Sequence, residues 1–596
     1  MITTNKKNMG QIYESWAPMI KQTTGVTDEN KLSWMSEIAH NQAMHLNEAA
    51  MGGVSQPYAT LYNTPGIGNA VPASKAGMTL GQQMDQATKG SGDKWPSLLP
   101  LALQTAARTV GLDLVNTTPF QGPTGVLPFL DYVYAGSKQP YGATPAYNPA
   151  TANPDKAGKW DPAYGAYDVP YAFKVNVKPA ALDTSSMDAL VPGATVVFTN
   201  GTKDASVETQ FIAKSRIDAF PMFKVVTITA GKNLASVFDG KASMTIKVGA
   251  ASEATATAPI YPQLISMLED QIKGFTGSGP YDTDPWSGTF VDPKVIYDPM
   301  MRGTGEMQYP RALSLQVFTK FVQVGTEQCS VNVTQEQVTD LQKQWGIDVM
   351  KLVENAAINE LSQSINKNIT SKLFAYGWLN HIKAYEVEGI NINMDLTSAS
   401  AGATFENAIP VDPTDDAKGY KTATMPLVPF YQFPLAGAGF ENQDTVIKRI
   451  AANVILAGNV ITQRGRRGPA TFVVTNLKIA TALQTNSQYS FSPIANTISQ
   501  NNGSLYPLGT MAGMTIYVDP LMRYDDTRIL VGRKGANDEP GLHFCPYLMA
   551  ESVKLISEGT GAPKLLMKSR YAIVAAGWFP ETQYLTFYVK TGQGLL

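Results

Sequence analysis

Histidine is scarce in this chain, with four in 596 residues: His40, His45, His381 and His543. Cysteine is scarcer still, with only Cys329 and Cys545. Two cysteines cannot staple a chain of this size, which predicts a reducing compartment or indifference to redox. His40 and His45 stand five apart, not the four that would align them on one helical face. No Cys-x-x-Cys, His-Glu-x-x-His, Gly-x-Ser-x-Gly or phosphate-loop pattern occurs. The common metal, hydrolase and nucleotide chemistries therefore lack their residues.

Charge is also thin. Charged residues make up 16% of the chain, against about 25% in ordinary soluble domains. A formal net charge of −2 does not suit a protein that grips nucleic acid through its phosphates. Interface cores are depleted in charge, so the composition suits a surface that meets other protein; a secreted β-rich protein would look similar. No apolar run approaches the ~18 residues of a membrane span. The longest candidate, from Ile450 to Ile461, contains Asn453 and Asn459. No apolar stretch follows Lys6 and Lys7, which predicts no secretory leader and a soluble intracellular product.

What is present is a mixed pattern. Asp28 precedes a helical stripe of Leu32, Met35, Ile38, Ala39 and Gln42, narrow enough to need a partner in its own domain or in another protein. Residues 52–95 are rich in Gly, Pro, Ala and Ser and read as an extended arm. Helical spacing returns over 97–115, and Thr117 to Tyr134 is strand-like. Within 169–250, short strand candidates at 173–177, 195–199, 223–228 and 244–248 alternate with turn signals such as Asn200-Gly201 and Asp239-Gly240, which predicts an all-β domain.

The strongest helical signal lies between Thr334 and Phe374. Thr334 and Gln337 have capping-box spacing. After Gly346, Asp348 starts a helix whose face carries Val349, Leu352, Val353, Ala356, Leu361, Ile365, Ile369 and Leu373. Residues 348–373 span about 39 Å as helix. Thr445 to Ile461 and 476–484 read as further helices, and strands are expected at 471–474, 514–518, 528–531, 571–575 and 584–589.

Three clusters merit weighing as sites. His543 and Cys545 alternate along a strand and share a side, though half-buried strand residues are the plainer account. Asp282, Asp284 and Asp292 resemble a loose calcium loop but match no defined spacing, so solvated turns are the better reading. Arg464, Arg466 and Arg467 form the best basic patch, able to touch DNA or a neighbouring carboxylate, though a solvated loop is the plainer reading.

Four blocks carry a resemblance. The first is Gly111-Leu112-Asp113-Leu114-Val115 with Pro119, Pro123-Thr124-Gly125 and Val133-Tyr134. The second is Gly274-Phe275-Thr276-Gly277-Ser278 with Asp284-Pro285-Trp286 and Glu306-Met307. The third is Trp345-Gly346-Ile347-Asp348 with Asn359-Glu360 and Ile365-Asn366-Lys367. The fourth is Val531-Gly532-Arg533-Lys534-Gly535 with Asn537, Gly541, Pro546-Tyr547 and Lys568-Ser569-Arg570-Tyr571. In this order they resemble the major head protein family of T-even-type tailed bacteriophages. The likeness reaches 95–136, 263–290, 306–374, 450–480 and 511–590; 139–262 and 375–449 find no counterpart.

The resemblance implies an α+β chain of the Hong Kong 97-like capsid fold with an inserted all-β domain. Its parts would be a propeptide and scaffold-binding helix (1–48), an N-terminal arm (49–95) and the start of the peripheral domain and E-loop (96–138). An inserted β-rich domain on the outer surface (139–262), an E-loop return (263–333) and a spine helix (334–380) follow. An axial domain (381–530) and peripheral return strands (531–596) complete it. It implies a shell subunit, no enzyme and no cofactor or metal. Expected partners are the chain itself in hexameric capsomers, a scaffolding core that binds the N-terminal stripe, a prohead protease, and vertex, portal and decoration proteins. Packaged DNA would be met by non-specific contact only, no membrane is involved, and the final location is the virion. Family proteases cut after Glu in a Leu/Ile-x-Glu context, which points to Leu46, Glu48 and Ala49. Residues 1–48 hold four basic and five acidic residues, so the cut barely alters charge. The rivals are a tail sheath or surface-layer protein, and an enzyme such as a carbohydrate hydrolase with a glycan-binding β-domain.

Overall fold

The computed structural model describes residues 2–51, 109–135, 172–175, 193–269, 312–397, 402–429, 443–493 and 505–591, with short gaps inside several of these ranges. The chain opens with helices α1 (Ile2–Thr24) and α2 (Glu29–Met51). Asp28 caps α2 as its position predicts: the Asn30 amide donates to Asp28 Oδ1 at 3.1 Å. Leu32, Met35, Ile38 and Ala39 are buried, and Gln42 lies outside the described side chains.

Helix α3 (Gln335–Trp345) carries the expected capping box between Thr334 and Gln337 and ends on Gly346 at φ +67°. Helix α4 (Val349–Glu388) runs 40 residues, about 60 Å at 1.5 Å per residue. It passes both the expected end at 373 and the expected spine limit at 380. The extension has no one-sided stripe to betray it, because Phe374, Ala375, Tyr376, Trp378, Leu379 and Asn380 are all buried. The buried face is also interrupted, because Val349 is buried as expected but Ala356 is exposed. Leu352 is 62% exposed, and the stripe resumes at Ala357, Ile358 and Leu361 before continuing through Ile365, Ile369 and Leu373. Gly377 has no room for a Cβ, which would strike Thr586.

Two sheets pack against this rod. A four-stranded sheet orders Asn116–Thr117, Gly541–Ile556, Pro563–Ala576 and Gly325–Asn332. Its Phe544, Met549, Leu565 and Met567 share one core with the α4 stripe and with α1 and α2. An eight-stranded sheet orders Val428–Pro429, Met394–Asp395, Tyr584–Lys590, Arg528–Gly532, Phe472–Thr475, Met514–Val518, Tyr506–Met511 and Ser492–Pro493. Helices α5 (Gln443–Gly465) and α6 (Leu477–Gln484) cover it, and Asn476 caps α6 by accepting from the Ile479 amide at 3.0 Å. The last strand, Tyr584–Lys590, lies inside this second sheet, and its Leu585, Phe587 and Val589 fill that core. The division expected at residue 531 therefore cuts through one sheet.

Three further β-units lie outside these two sheets, one of them the antiparallel pair Thr404–Pro410 and Tyr420–Pro426. Thr124–Ala135 and Ala312–Gln323 pair antiparallel along their whole length as a two-stranded ribbon. Seven strands between Ala172 and Gln263 form a separate sheet around Phe173, Phe198, Phe211, Phe223 and Phe238. Asn200-Gly201 turns between two of its strands as expected. The helix expected over 97–115 falls mostly outside the described residues, and its last part is a 3-10 turn, Val110–Asp113. Asp239-Gly240, Asp348 and the trio Asp282, Asp284 and Asp292 also lie outside them. No described helix is long and apolar enough to cross a membrane.

Candidate assembly and maturation surfaces

Of the three arginines singled out as a basic loop, the structure exposes one. Helix α5 outlasts its expected end at 461, and its buried positions Ile450, Val454, Ala457 and Ile461 continue at the same spacing to Arg464. Arg464 therefore points inward and is 2% exposed. Its Nε donates to Asn380 Oδ1 at 2.8 Å, and Nη1 and Nη2 donate to the carbonyls of Arg216 and Ile217 at 2.6 and 3.3 Å. Burial pulls its pKa down to about 10, opposed by the charges of Glu388 and Glu581. A DNA-facing role for Arg464 is excluded by this geometry. Arg467 turns to the ribbon, where Nη2 meets Asp131 Oδ1 at 3.2 Å. Burial raises the Asp131 pKa, and Arg467 opposes the shift. Arg466, at φ +50°, remains exposed.

A buried charge cluster escaped sequence reasoning. Lys174, in the strand Ala172–Val175, places Nζ 2.6 Å from both Asp218 Oδ2 and Glu269 Oε1. Ser215 Oγ donates to Glu269 Oε1 at 2.6 Å, and the Ser266 amide to Oε2 at 2.8 Å. The ammonium also lies 4.8 Å from the Phe579 ring centroid, joining the seven-stranded sheet to the body. Burial works to discharge Lys174, but the two carboxylates outweigh it and hold its pKa above the ordinary value. The partners are 44 and 95 residues away, so no local spacing announces them. A lysine inside the apolar strand Ala-Phe-Lys-Val was the one available signal.

The remaining titratable candidates are held inert. His381 donates from Nδ1 to the Thr586 carbonyl at 2.9 Å and accepts at Nε2 from the Ile392 amide at 3.1 Å. Burial pushes its pKa down to about 4. His543 donates from Nε2 to the Glu539 carbonyl at 3.2 Å, and burial lowers it likewise to about 4. The Cys545 thiol is pushed up to about 12 by burial, so the thinkable His543–Cys545 pair has no thiolate. Among the described residues no cluster of three or more His, Cys, Asp or Glu is placed to hold a metal.

The ribbon offers a surface of a different kind. Leu127, Phe129, Asp131 and Val133 face the body, while Val126, Pro128, Leu130 and Tyr132 alternate outward. Phe321 pairs with Val126 across the strands, and these two are 67% and 56% exposed. Leu46, Glu48 and Ala49 lie in the last turns of α2, whose final helical residue is Met51.

A family model described as "Major capsid protein Gp23" matches residues 93–409 and 436–591, which is most of the chain. This chain belongs to that family. Gp23-type proteins are structural capsid proteins, and the match takes in α3 to α6, the ribbon, the four- and seven-stranded sheets and all of the eight-stranded sheet but Val428–Pro429, so 139–262 and 375–409, which the sequence blocks leave unaligned, do have a counterpart. It does not reach α1, α2 or Glu48. A curated relative, the "Major capsid protein" of Serratia phage KSP90, is 31% identical over 115 residues, covering 18% of this chain and 26% of that one. The match thus spans about a quarter of that relative's length. Similar solved structures include a chain of Mycobacterium phage Bobi (10% identity, 50% and 82% of the two chains, TM-score 0.28). Another is the "Asymmetric unit of bacteriophage PhiM1 mature capsid" (9% identity, 50% and 79%, TM-score 0.27).

Proposed function

We propose that this Gp23-family chain is the shell-forming subunit of a tailed-phage head, folded in the Hong Kong 97-like manner. The ribbon carries the reading. A two-stranded ribbon is marginal by itself in water, and this one turns Val126, Leu130, Tyr132 and Phe321 outward. Such a face is suited to the back of the next copy, where heterologous contacts close into rings. In this reading the ribbon is the E-loop, α4 is the spine, the eight-stranded sheet with α5 and α6 faces the capsomer centre, and the seven-stranded sheet stands on the outer surface. Hexameric capsomers would then form an icosahedral shell around DNA held by non-specific contact. The scaffolding core, prohead protease, portal, vertex and decoration proteins are its partners. The protease cut falls between Glu48 and Ala49, and assembly starts in the host cytoplasm and ends in the virion.

Electron microscopy of particles assembled from the chain tests this. Closed icosahedral shells are expected. Tubes, flat lattices or a persistent monomer at high concentration would overturn it.

A further inference from the structure

We infer that residues 1–48 are an intramolecular ligand: the α1–α2 hairpin docks on an apolar seat in the chain's own body and stays there when the backbone behind it is cut. Trp16 and Ile20 from α1, with Leu32, Met35 and Ile38 from α2, are buried in the same core as the α4 stripe. Leu112, Leu114 and Phe544 line the body side of that core. Polar contacts fix the register. Lys31 Nζ meets Asp113 Oδ2 at 2.7 Å, and Asn41 Nδ2 donates to the buried carbonyl of Phe120 at 3.4 Å. The outward side of the hairpin is polar, with Gln11, Glu14, Lys21, Glu29 and Ser33 exposed.

The arrangement corrects one expectation. The apolar stripe of α2 is consumed by the body, so it cannot be the surface offered to a scaffolding core; an internal partner would meet the polar side. Cutting the peptide bond after Glu48, in the last turn of α2, removes none of these contacts. It removes only the tether that returns a dissociated hairpin to its seat. Departure of the segment therefore requires the seat itself to open. This last step rests on the cut after Glu48 proposed above, whereas docking in cis does not.

The experiment separates the two. A recognition sequence for an unrelated, sequence-specific protease is placed in 52–58, the purified full-length chain is cut in native buffer, and the products are run on size exclusion. The N-terminal fragment is expected to co-elute one to one with the body and to separate only in denaturant. Met35→Asp lies in the fragment, leaving the body's sequence intact, and should cause the fragment to elute alone after the same cut. A wild-type fragment that elutes alone from a folded body overturns the inference, as does equal retention of the Met35→Asp fragment. Virion protein that begins at Met1, combined with co-elution in this assay, would remove the Glu48 cut and leave the seat standing.

Discussion

Arg464 Nε donates a 2.8 Å hydrogen bond to Asn380 Oδ1, locking α5 to α4 in the interior. The rest of the guanidinium reaches the carbonyls of Arg216 and Ile217, where the seven-stranded sheet enters the body. One side chain thus ties three units together through neutral acceptors. Arg464→Ala should strand those acceptors and cost about 3 kcal/mol or more. Arg464→Lys should recover only part, because an ammonium cannot reproduce the planar fork. Urea unfolding of the three proteins checks both. A Arg464→Ala midpoint equal to wild type would refute the keystone role.

Lys174 sits between Asp218 and Glu269, and Asp218 also feels the more distant charges of Lys383 and Arg464. Lys174→Met should leave two buried carboxylates face to face and destabilise by about 3–5 kcal/mol. Replacing all three, as Lys174→Met with Asp218→Asn and Glu269→Gln, should recover most of that loss. Thermal melts of the single and triple variants decide it, and equal melts would show that the cluster's charge is irrelevant.

The two arginine and lysine cases mark where the sequence was legible. One-sided stripes could be read, so the Asp28 cap, the α3 capping box, the α4 stripe from Leu361 to Leu373 and most strand positions were recognisable. The end of α4 was not, because burial on all sides erases periodicity. The inward turn of Arg464 was in fact visible, since it continues the stripe of Ile450, Val454, Ala457 and Ile461. The Arg-Gly-Arg-Arg composition simply suggested a loop. Lys174 and its partners meet only through tertiary packing, and no spacing encodes them. The ribbon's apolar side could be read as alternation from Val126 to Tyr132, but its outward direction depends on which face meets the body.

The ribbon separates folding from assembly. Val126 and Phe321 are 56% and 67% exposed, so Val126→Asp with Phe321→Asp should change subunit stability by no more than about 0.5 kcal/mol each. The same pair should block association, because a buried interface cannot accept unpaired carboxylates. Sedimentation velocity is expected to show a folded, solitary chain. Normal shells from the double variant would remove the ribbon from the interface.

His381 and His543 give the subunit an acid limit. Both have folded pKa values of about 4, below the ordinary 6.5, so between these values the unfolded chain takes up the proton first. Their stabilising contribution is therefore full above pH 6.5 and is lost as pH falls through that window towards 4. Each contributes roughly 3 kcal/mol at most. The difference in urea midpoint between wild type and His543→Phe, followed from pH 7 to 4, should shrink as the pH falls. A difference that stays constant would contradict the assignment.

The proposed scissile bond lies in helix, which makes cutting depend on fraying. Glu48 is three residues from the end of α2 at Met51, and terminal turns open at small free-energy cost. Glu48→Ala should leave uncleaved subunits that begin at Met1 and arrest heads as unexpanded precursors. Ala50→Gly should act in the opposite sense. It keeps Leu46 and Glu48 but weakens the last turn by about 1 kcal/mol, about a fivefold gain in the open population. Cutting should accelerate by up to that factor in a time course on precursor shells. An unchanged rate with Ala50→Gly would show that unwinding does not limit the cut, and an Ala49 terminus in Glu48→Ala particles would show that the protease does not read Glu48.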